Sequence, residues 1–351
     1  MIINNNNDRY FFYLVSFSFV LSLAVVALGA FTRLTEAGLG CPDWPGCYGF
    51  LTVPQTALEQ QTAAEFFPLT PLEPQKAWNE MLHRYIAGTL GLFVLAINLM
   101  AWRQVSRPKL IPILLLIMVT IQALLGMWTV TLVLMPVVVM AHLLGGFTIV
   151  SLLWLLRLQL QATPVDITQI GIKTLSRLRV AAIISVIVVI LQIALGGWTA
   201  ANYAALVCSQ LPLCEANWQQ LFDVKAFLLI QPQHDSYQYG VLDYGQRVSI
   251  HVVHRIGAMI TTVVVLAMAW LCWRQPVLRR YSWGLVLLLT LQIALGVTNV
   301  VASLPLAVAV AHNVTGLGLL VAMVTISYRV GVGSRHSREA EQPLREEQSH
   351  G

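Results

Sequence analysis

The chain has 351 residues, of which 57% are hydrophobic and only 11% are charged, with a formal net charge of +5. Soluble domains carry about 25% charged residues, so the composition excludes an ordinary soluble globular protein. The positive charge does not indicate a nucleic-acid ligand, because the basic residues are confined to particular connections between long apolar segments.

Eight apolar stretches follow one another along the chain. They cover residues 11–31, 81–102, 110–130, 137–157, 178–200, 249–273, 282–303 and 305–329. Each is close to the roughly 20 residues that a helix needs to cross a bilayer, and none alternates strictly like a barrel strand. The first is longer than the apolar part of a signal peptide, and no A-x-A site follows it. We therefore predict an all-α integral membrane protein with eight transmembrane helices.

Lysine and arginine concentrate in alternate connections between these helices and in the C-terminal tail. The residues concerned are Arg103, Arg107, Lys109, Arg157, Lys173, Arg177, Arg179, Arg274, Arg279, Arg280, Arg335, Arg338 and Arg345. The positive-inside rule then predicts cytoplasmic termini and places the long loops 32–80 and 201–248 on the outer side. The polar segment 331–351 is predicted to be a disordered cytoplasmic tail.

Motifs of the first half recur in the second half at a nearly constant distance. The equivalent pairs are His83 and His254, His142 and His312, Gly126 and Gly296, Cys41 and Cys208, and Cys47 and Cys214, separated by 167 to 171 residues. This spacing predicts two tandem, pseudo-symmetric four-helix bundles in parallel orientation, at 1–160 and 161–330. A Gln-x-x-Leu-Gly pattern also recurs, at Gln122, Gln192 and Gln292. These glutamines either form hydrogen bonds between helices or line a cofactor site.

The predicted outer loops each contain a cysteine pair with five residues between its members. An oxidising compartment favours disulfides, so we predict the bonds Cys41–Cys47 and Cys208–Cys214. A structural staple and a redox-active pair both remain open. Zinc is disfavoured, since the loops offer no nearby histidine to complete four ligands. Cys272, at the inner end of the sixth helix, is predicted to be an ordinary buried thiol.

Four of the eight histidines lie near the outer ends of predicted helices, at one membrane level. These are His83, His142, His254 and His312. Ionisable residues are costly inside a bilayer and are therefore functional candidates. Two histidines on facing helices, without a carboxylate or thiol between them, suit axial ligation of haem iron in a bundle core. We predict one haem site on His83 and His142 and a second on His254 and His312.

The two halves differ beside the first histidine of each. Glu80 lies three residues before His83, and the equivalent position in the second half is His251. This asymmetry favours a reactive site in the first unit, with Glu80 as an acid/base group, and an electron-transfer site in the second. A helix-start carboxylate favoured by the dipole is the alternative for Glu80. Arg84 and Arg255 are interpreted as partners of haem propionates or as snorkelling residues.

The motifs resemble those of haem A synthases, of the bacterial type with paired cysteines in the outer loops, which share their fold with mitochondrial relatives. The resemblance covers all eight helices. It rests on "GAFTRLTEAGLGCPDWPGC", "NEMLHRYIAG", "AHLLGG", "HVVHRIGA" and "AHNVTG". It implies oxidation of the C8 methyl group of haem O to a formyl group, giving haem A for terminal oxidases. It also implies a place in the cytoplasmic (inner) membrane of a bacterium, with the cysteine loops periplasmic.

The resemblance extends to individual residues. It implies that His254 and His312 hold a haem b cofactor, that His83 and His142 receive the substrate haem O, and that Glu80 is the acidic residue of the family. The implied partners are a haem O synthase and the assembly proteins of terminal oxidases. Oligomeric state stays open, including a homo-oligomer. His234 and His251 match no part of the pattern, and the electron acceptor is not indicated.

Two other functions remain open from the residues alone. A bis-histidine membrane cytochrome would pass electrons between quinol and a partner without catalysing a reaction. A haem carrier would deliver haem to an oxidase. Glu80 and the asymmetry between the halves favour an enzyme over both.

Overall fold

The computed structural model describes residues 6–161 and 170–349, and its secondary structure is helical throughout these ranges, apart from one isolated bridge. The helices are α1 (Asn6–Leu34), α2 (Ala57–Phe66), α3 (Pro74–Trp102), α4 (Leu110–Thr131), α5 (Pro136–Leu160), α6 (Ile172–Ala201), α7 (Tyr244–Trp273), α8 (Arg279–Val301) and α9 (Leu306–Ser349). Short 3₁₀ turns occur at Trp218–Leu221, Val224–Phe227 and Pro276–Leu278. The predicted all-α class is confirmed.

Eight of these helices are long and apolar enough to cross a membrane, which confirms the predicted number of spans. The exception is α2, a helix of ten residues in the loop between α1 and α3. Four spanning helices begin five to seven residues earlier than predicted: α1 at Asn6 instead of residue 11, α3 at Pro74 instead of residue 81, α6 at Ile172 instead of residue 178, and α7 at Tyr244 instead of residue 249. Their first turns are polar, so hydropathy alone does not detect them, although a helix can extend beyond the hydrocarbon core.

The last helix is also longer than its apolar stretch. Its spanning part ends at Gly331, but helix continues to Ser349, over most of the segment predicted to be disordered. This segment contains several Arg, Glu and Gln residues, which are good helix formers, and one proline, Pro343. Extending an existing helix avoids the cost of nucleation. Disorder of the tail stays a prediction.

The spanning helices pack as two rings of four. In the first ring α1 contacts α3 and α5, and α4 contacts α3 and α5. In the second ring α6 contacts α7 and α9, and α8 contacts α7 and α9. Across the described ranges, no Cα atom of α3 lies within 8 Å of α5, and the same holds for α7 and α9. Each ring therefore has a pair of diagonally opposed helices.

Contacts between the rings join positions that are equivalent in the two halves of the sequence. The Trp154 indole Nε1–H donates to Thr325 Oγ1 at 2.7 Å, across 171 residues. The Arg33 guanidinium donates to the Tyr203 hydroxyl at 2.7 Å and to the Ala200 carbonyl at 2.8 Å, across 170 and 167 residues. A two-fold axis relating two repeats brings equivalent positions together, so these contacts support the proposal of two pseudo-symmetric units.

The Trp154–Thr325 bond makes the junction between the rings testable. Thr325→Val keeps the shape of the side chain but removes the acceptor, which leaves the indole N–H without its partner. We expect the free energy of unfolding in detergent to fall by about 0.5–2 kcal/mol. Thr148→Val is the matched control, because the exposed Thr148 hydroxyl bonds only to Leu144 of its own helix. Equal stability of the two variants would contradict a contribution of this bond to the junction.

Candidate functional site

The four histidines singled out by the sequence lie on the diagonal helices of the two rings. His83 is on α3 and His142 on α5, while His254 is on α7 and His312 on α9. All four side chains are partly exposed although their helices are packed on both sides. Nδ1 of His83, His142 and His312 is buried and has no hydrogen-bond partner. Each of the four imidazoles is therefore partly accessible, and in three of them the Nδ1 atom is buried in the protein.

Each imidazole rests against a glycine of a neighbouring helix. A Cβ atom added to Gly29, Gly126, Gly196 or Gly296 would lie 3.0, 3.5, 3.2 or 3.1 Å from Cε1 of His83, His142, His254 or His312, respectively. A larger residue would therefore crowd the ring, most severely at Gly29. The sequence alone does not mark these glycines as partners of the histidines. Their signal is the Leu-Gly step that ends the repeated pattern and recurs at Leu28–Gly29.

The three repeated glutamines contact three of the histidines. Gln122 Nε2 donates to the His142 carbonyl at 2.8 Å. Gln192 Nε2 lies 3.0 Å from the His254 carbonyl and 3.1 Å from Nδ1 of the same residue. Gln292 Nε2 lies 3.2 Å from Nε2 of His312. Hydrogen bonding between helices is confirmed, and its targets are the candidate ligands themselves.

The residues present fit a haem held between two histidines in each ring. The histidines of each pair lie on diagonally opposed helices of one ring, and all four imidazoles are partly exposed. Each pair can therefore offer two imidazole nitrogens to a group bound in the bundle core. Imidazole pairs are established axial ligands for haem iron.

Glu80 lies in the second turn of α3, close to the first histidine pair. Its side chain is buried, and both carboxylate oxygens are hydrogen-bonded: Oε2 accepts from the Cys41 backbone N–H at 2.9 Å, and Oε1 accepts from Arg84. Because α3 begins at Pro74 and has no acidic residue in its first turn, the helix-start explanation of Glu80 is wrong. The carboxylate instead connects α3 to the first cysteine loop.

Arg84 and Arg255 bind the cysteine loops. Arg84 donates to the carbonyls of Asp43, Pro45 and Gly46. The carbonyls that Arg255 donates to are those of Cys208, Gln210 and Leu213. Sequence reasoning did not indicate these partners, because an arginine beside a histidine carries no signal of a distant loop carbonyl. Pairing of either arginine with a haem propionate stays a prediction.

Both predicted disulfides are present. Cys41 and Cys47 are bonded, as are Cys208 and Cys214, and the Cα atoms are 4.8 Å apart in each pair. Cys272 is free and buried, as predicted. Each disulfide therefore closes a loop of the same size. An arginine on the histidine-bearing helix that follows the loop donates hydrogen bonds to its backbone carbonyls.

Burial and hydrogen bonding shift the pKa values of two ionisable groups in these loops. Burial, reinforced by the carboxylates of Glu73 and Asp43, raises the pKa of Tyr48 to about 12. The Tyr48 hydroxyl donates to the Pro71 carbonyl at 3.1 Å. In the second loop, the hydrogen bond from the Ser209 backbone N–H lowers the pKa of Glu215. Each loop is thus ordered by its own polar contacts.

Comparison with known proteins assigns the chain to a family. The model of the cytochrome oxidase assembly protein family, COX15-CtaA, matches residues 12–324. The haem A synthase of Shewanella oneidensis is 48% identical over 317 residues, which cover 90% of this chain and 95% of that protein. The chain belongs to the haem A synthase family of cytochrome oxidase assembly proteins.

More distant members of the haem A synthase family match along similar lengths. The haem A synthase of Methylobacterium radiotolerans is 27% identical over 92% of this chain and 91% of its own length. That of Bacillus licheniformis is 26% identical over 84% of this chain and 87% of its own length. The similarity therefore extends over nearly the whole chain, and the resemblance inferred from the motifs is confirmed.

In this haem A synthase family member, the two disulfides predict a simple pattern of thiol reactivity. Labelling of the unreduced protein is expected to modify Cys272 at most, and reduction is expected to release four further thiols, two from each disulfide. Mass spectrometry of the labelled peptides measures this. Labelling of Cys41 and Cys47 without reductant, in freshly isolated membranes, would contradict a stable outer bond.

Variants of the Cys41–Cys47 bond separate a structural role of this disulfide (a staple) from a redox role. A disulfide contributes about 2–4 kcal/mol, and less for a short loop. A staple therefore predicts that Cys41→Ser lowers folded yield more than turnover per folded molecule. A redox-active pair predicts the reverse. Cys208→Ser is the matched control, because it opens a loop of the same size beside the other histidine pair.

Two histidines of this haem A synthase family member lie outside the diagonal pairs. His251 occupies the position equivalent to Glu80 and is only 4% exposed. His234 is exposed in the loop between α6 and α7, with its ring 5.5 Å from that of Tyr237. The Tyr237 backbone N–H donates to the Val133 carbonyl at 3.0 Å, so this loop reaches the α4–α5 connection of the first ring. The structure does not bring His234 together with the histidine pairs.

Proposed function

We propose that this protein oxidises the C8 methyl group of haem O to a formyl group and so produces haem A. The observation that carries the proposal is the asymmetry of two similar sites. Both rings present a diagonal histidine pair, but only the first has a buried carboxylate, Glu80, three residues before its first histidine. The first site thus has a carboxylate as its candidate acid/base group, and the second has the imidazole of His251 in its place.

In this proposal the two histidine pairs bind different haems. His83 and His142 bind the substrate haem O in the unit 1–160, and His254 and His312 bind haem b in the unit 161–330. Haem b, when bound, supplies one-electron transfer. The Gly29 and Gly126 contacts orient the imidazoles of the first pair, which would hold the substrate.

Glu80 accepts a proton released as the methyl group is oxidised. Its two hydrogen bonds, from Cys41 and Arg84, favour the charged carboxylate in a buried position and hold it in one orientation. Arg84 is itself held by three loop carbonyls, so the base is positioned by a closed network that includes the disulfide loop. A positioned general base contributes typically about 10²–10⁴-fold to a rate.

The proposal includes a membrane orientation and partners. The basic connections and both termini face the cytoplasm, and the cysteine loops face the outer side of a bacterial inner membrane. The ion pair between Arg107 and Asp8, at 3.1 Å, joins the start of α1 to the α3–α4 connection, which supports a common side for these two segments. A haem O synthase supplies the substrate, and assembly proteins of a terminal oxidase receive the product.

The test is chromatography of haems extracted from cells that express the full chain with a supply of haem O. Conversion of haem O to haem A is the expected result. Haem b alone, with haem O neither bound nor converted, would instead support a membrane cytochrome. Bound but unconverted haem O would support a haem carrier. The Glu80 and histidine variants described in the Discussion provide the controls.

A further inference from the structure

Three arginines at the connection between α7 and α8 have no carboxylate partner. Arg274, Arg279 and Arg280 are exposed, and no aspartate or glutamate occurs between residues 244 and 338. Within the described part of the chain, none of the ion pairs involves these arginines. We call residues 270–283 the α7–α8 corner. The corner presents three guanidinium charges that are available to an anion outside the chain.

Each of these guanidiniums lies over an aromatic ring of the corner. The distances from Cζ to the ring centroid are 5.4 Å for Arg274 and Trp270, 5.6 Å for Arg279 and Trp273, and 4.9 Å for Arg280 and Tyr281. The Arg279 Nε–H also donates to the Trp273 carbonyl at 3.3 Å. The Trp273 ring packs edge-to-face on Trp283 of α8, with centroids 5.3 Å apart. These contacts join the ends of two helices into one cationic and aromatic cluster.

The indoles of the α7–α8 corner place it at the level of lipid headgroups. Trp270, Trp273 and Trp283 are 58%, 43% and 63% exposed. Tryptophan and tyrosine are enriched where a spanning helix leaves the hydrocarbon core. Two candidate membrane spans meet at this corner, because α7 ends at Trp273 and the next span begins at Pro276. A lipid beside these helices would therefore have its phosphate beside the guanidiniums and its acyl chains against apolar side chains.

The equivalent connection of the first half, between α3 and α4, is balanced by a carboxylate. The sequence Trp-Arg-Gln occurs at 102–104 and again at 273–275, 171 residues later. Arg107 of the first connection is 5% exposed and pairs with Asp8 at 3.1 Å. The same offset places the fully buried Leu278 at the position of Arg107. The α7–α8 corner thus lacks a counterpart of this internal ion pair, and its cations point to an external partner.

The positions of Arg279 and Arg280 do not favour the helix that they begin. They are the first two residues of α8, which has no acidic residue in its first turn and no side-chain cap. Positive charge at the start of a helix opposes the helix dipole. The guanidiniums of the corner also repel one another. A bound anion would relieve both effects.

We propose that the α7–α8 corner binds a phospholipid with two phosphates, of the cardiolipin type. Guanidinium groups match phosphate oxygens bidentately, so three of them can hold two phosphates. One phosphate would balance only one of the three charges, whereas two phosphates balance two. Basic sites between spanning helices bind headgroups of this kind. The inference depends neither on the proposed haem chemistry nor on which side of the membrane the corner faces.

The first experiment measures lipid binding to the purified full-length protein in detergent by native mass spectrometry. We expect cardiolipin to bind the wild type more tightly than phosphatidylglycerol, which has one phosphate. Arg274→Gln with Arg279→Gln should weaken cardiolipin binding by about 30-fold, since each arginine contributes about five-fold. Arg103→Gln with Lys109→Gln is the matched control, because it removes two charges at the equivalent positions, 171 and 170 residues earlier. The control should bind cardiolipin like the wild type.

The second experiment needs no variant and therefore does not depend on its folding. A photoactivatable cardiolipin is crosslinked to the wild type, and the modified peptides are identified by mass spectrometry. We expect crosslinks within residues 270–283. Crosslinks confined to the connection between α3 and α4, or unchanged cardiolipin affinity in the folded Arg274 and Arg279 variant, would overturn the site. Equal affinity of the wild type for cardiolipin and phosphatidylglycerol would overturn the assignment of a lipid with two phosphates.

Discussion

Replacing His254 or His312 with alanine is expected to remove the low-spin haem b spectrum from the purified protein. Each substitution takes away one of two axial ligands, so any iron that remains bound is five-coordinate at best. Replacing His83 or His142 with alanine is expected to leave most of that spectrum and to stop haem A formation. The measurements are the absorbance spectrum per folded protein and the haem composition of expressing cells.

His234→Ala is the matched control for the four histidine variants. His234 is exposed in the loop between α6 and α7, so the His234→Ala variant should change neither the spectrum nor the haem composition. Loss of haem b from the His83 or His142 variants, with haem b retained in the His254 and His312 variants, would reverse the assignment of the two sites. The diagonal arrangement of the helices would remain, but the reactive site would move to the second ring.

Glu80→Gln is expected to cut haem A production by a factor of about 10²–10⁴ while haem b content stays nearly normal. The carboxamide oxygen can still accept from the Cys41 N–H, but the amide nitrogen is a donor that faces the donors of Arg84. The variant loses both the proton-accepting carboxylate and the negative charge that pairs with Arg84. Partly oxidised, hydroxylated haem accumulates if the second oxidation depends more on the carboxylate than the first.

Two further variants separate catalysis from folding. Glu80→Asp keeps an acidic group with a shorter reach, so it should retain more activity than Glu80→Gln. Glu73→Gln removes an exposed carboxylate that pairs with Lys76 at the start of the same helix, a contact worth about 0–1 kcal/mol. It should leave haem A production unchanged. Near-normal haem A from Glu80→Gln would remove Glu80 from the mechanism and leave a structural role for its bonds to the cysteine loop.

The sequence by itself determined the features that depend on local pattern or on repetition. Long apolar runs without strict alternation predict membrane helices, because only helices and closed barrels satisfy the backbone in hydrocarbon, and eight candidate spans are found. The short spacing of Cys41 and Cys47 limits each to one partner within the loop, and that bond is present. The recurrence of His83 and His142 at a constant offset identified the candidate ligands without any structure.

Only the tertiary structure decided what these residues touch. Glu80 bonds to the backbone of Cys41, 39 residues away, and Arg33 bonds to Tyr203, 170 residues away. Backbone donors and carbonyls are present at every residue, so the sequence carries no mark of which one a side chain will reach. The glutamines show the same limit. Their pattern predicted hydrogen bonds between helices, but their targets, and the lack of an equivalent beside His83, follow from how four helices pack around a common space.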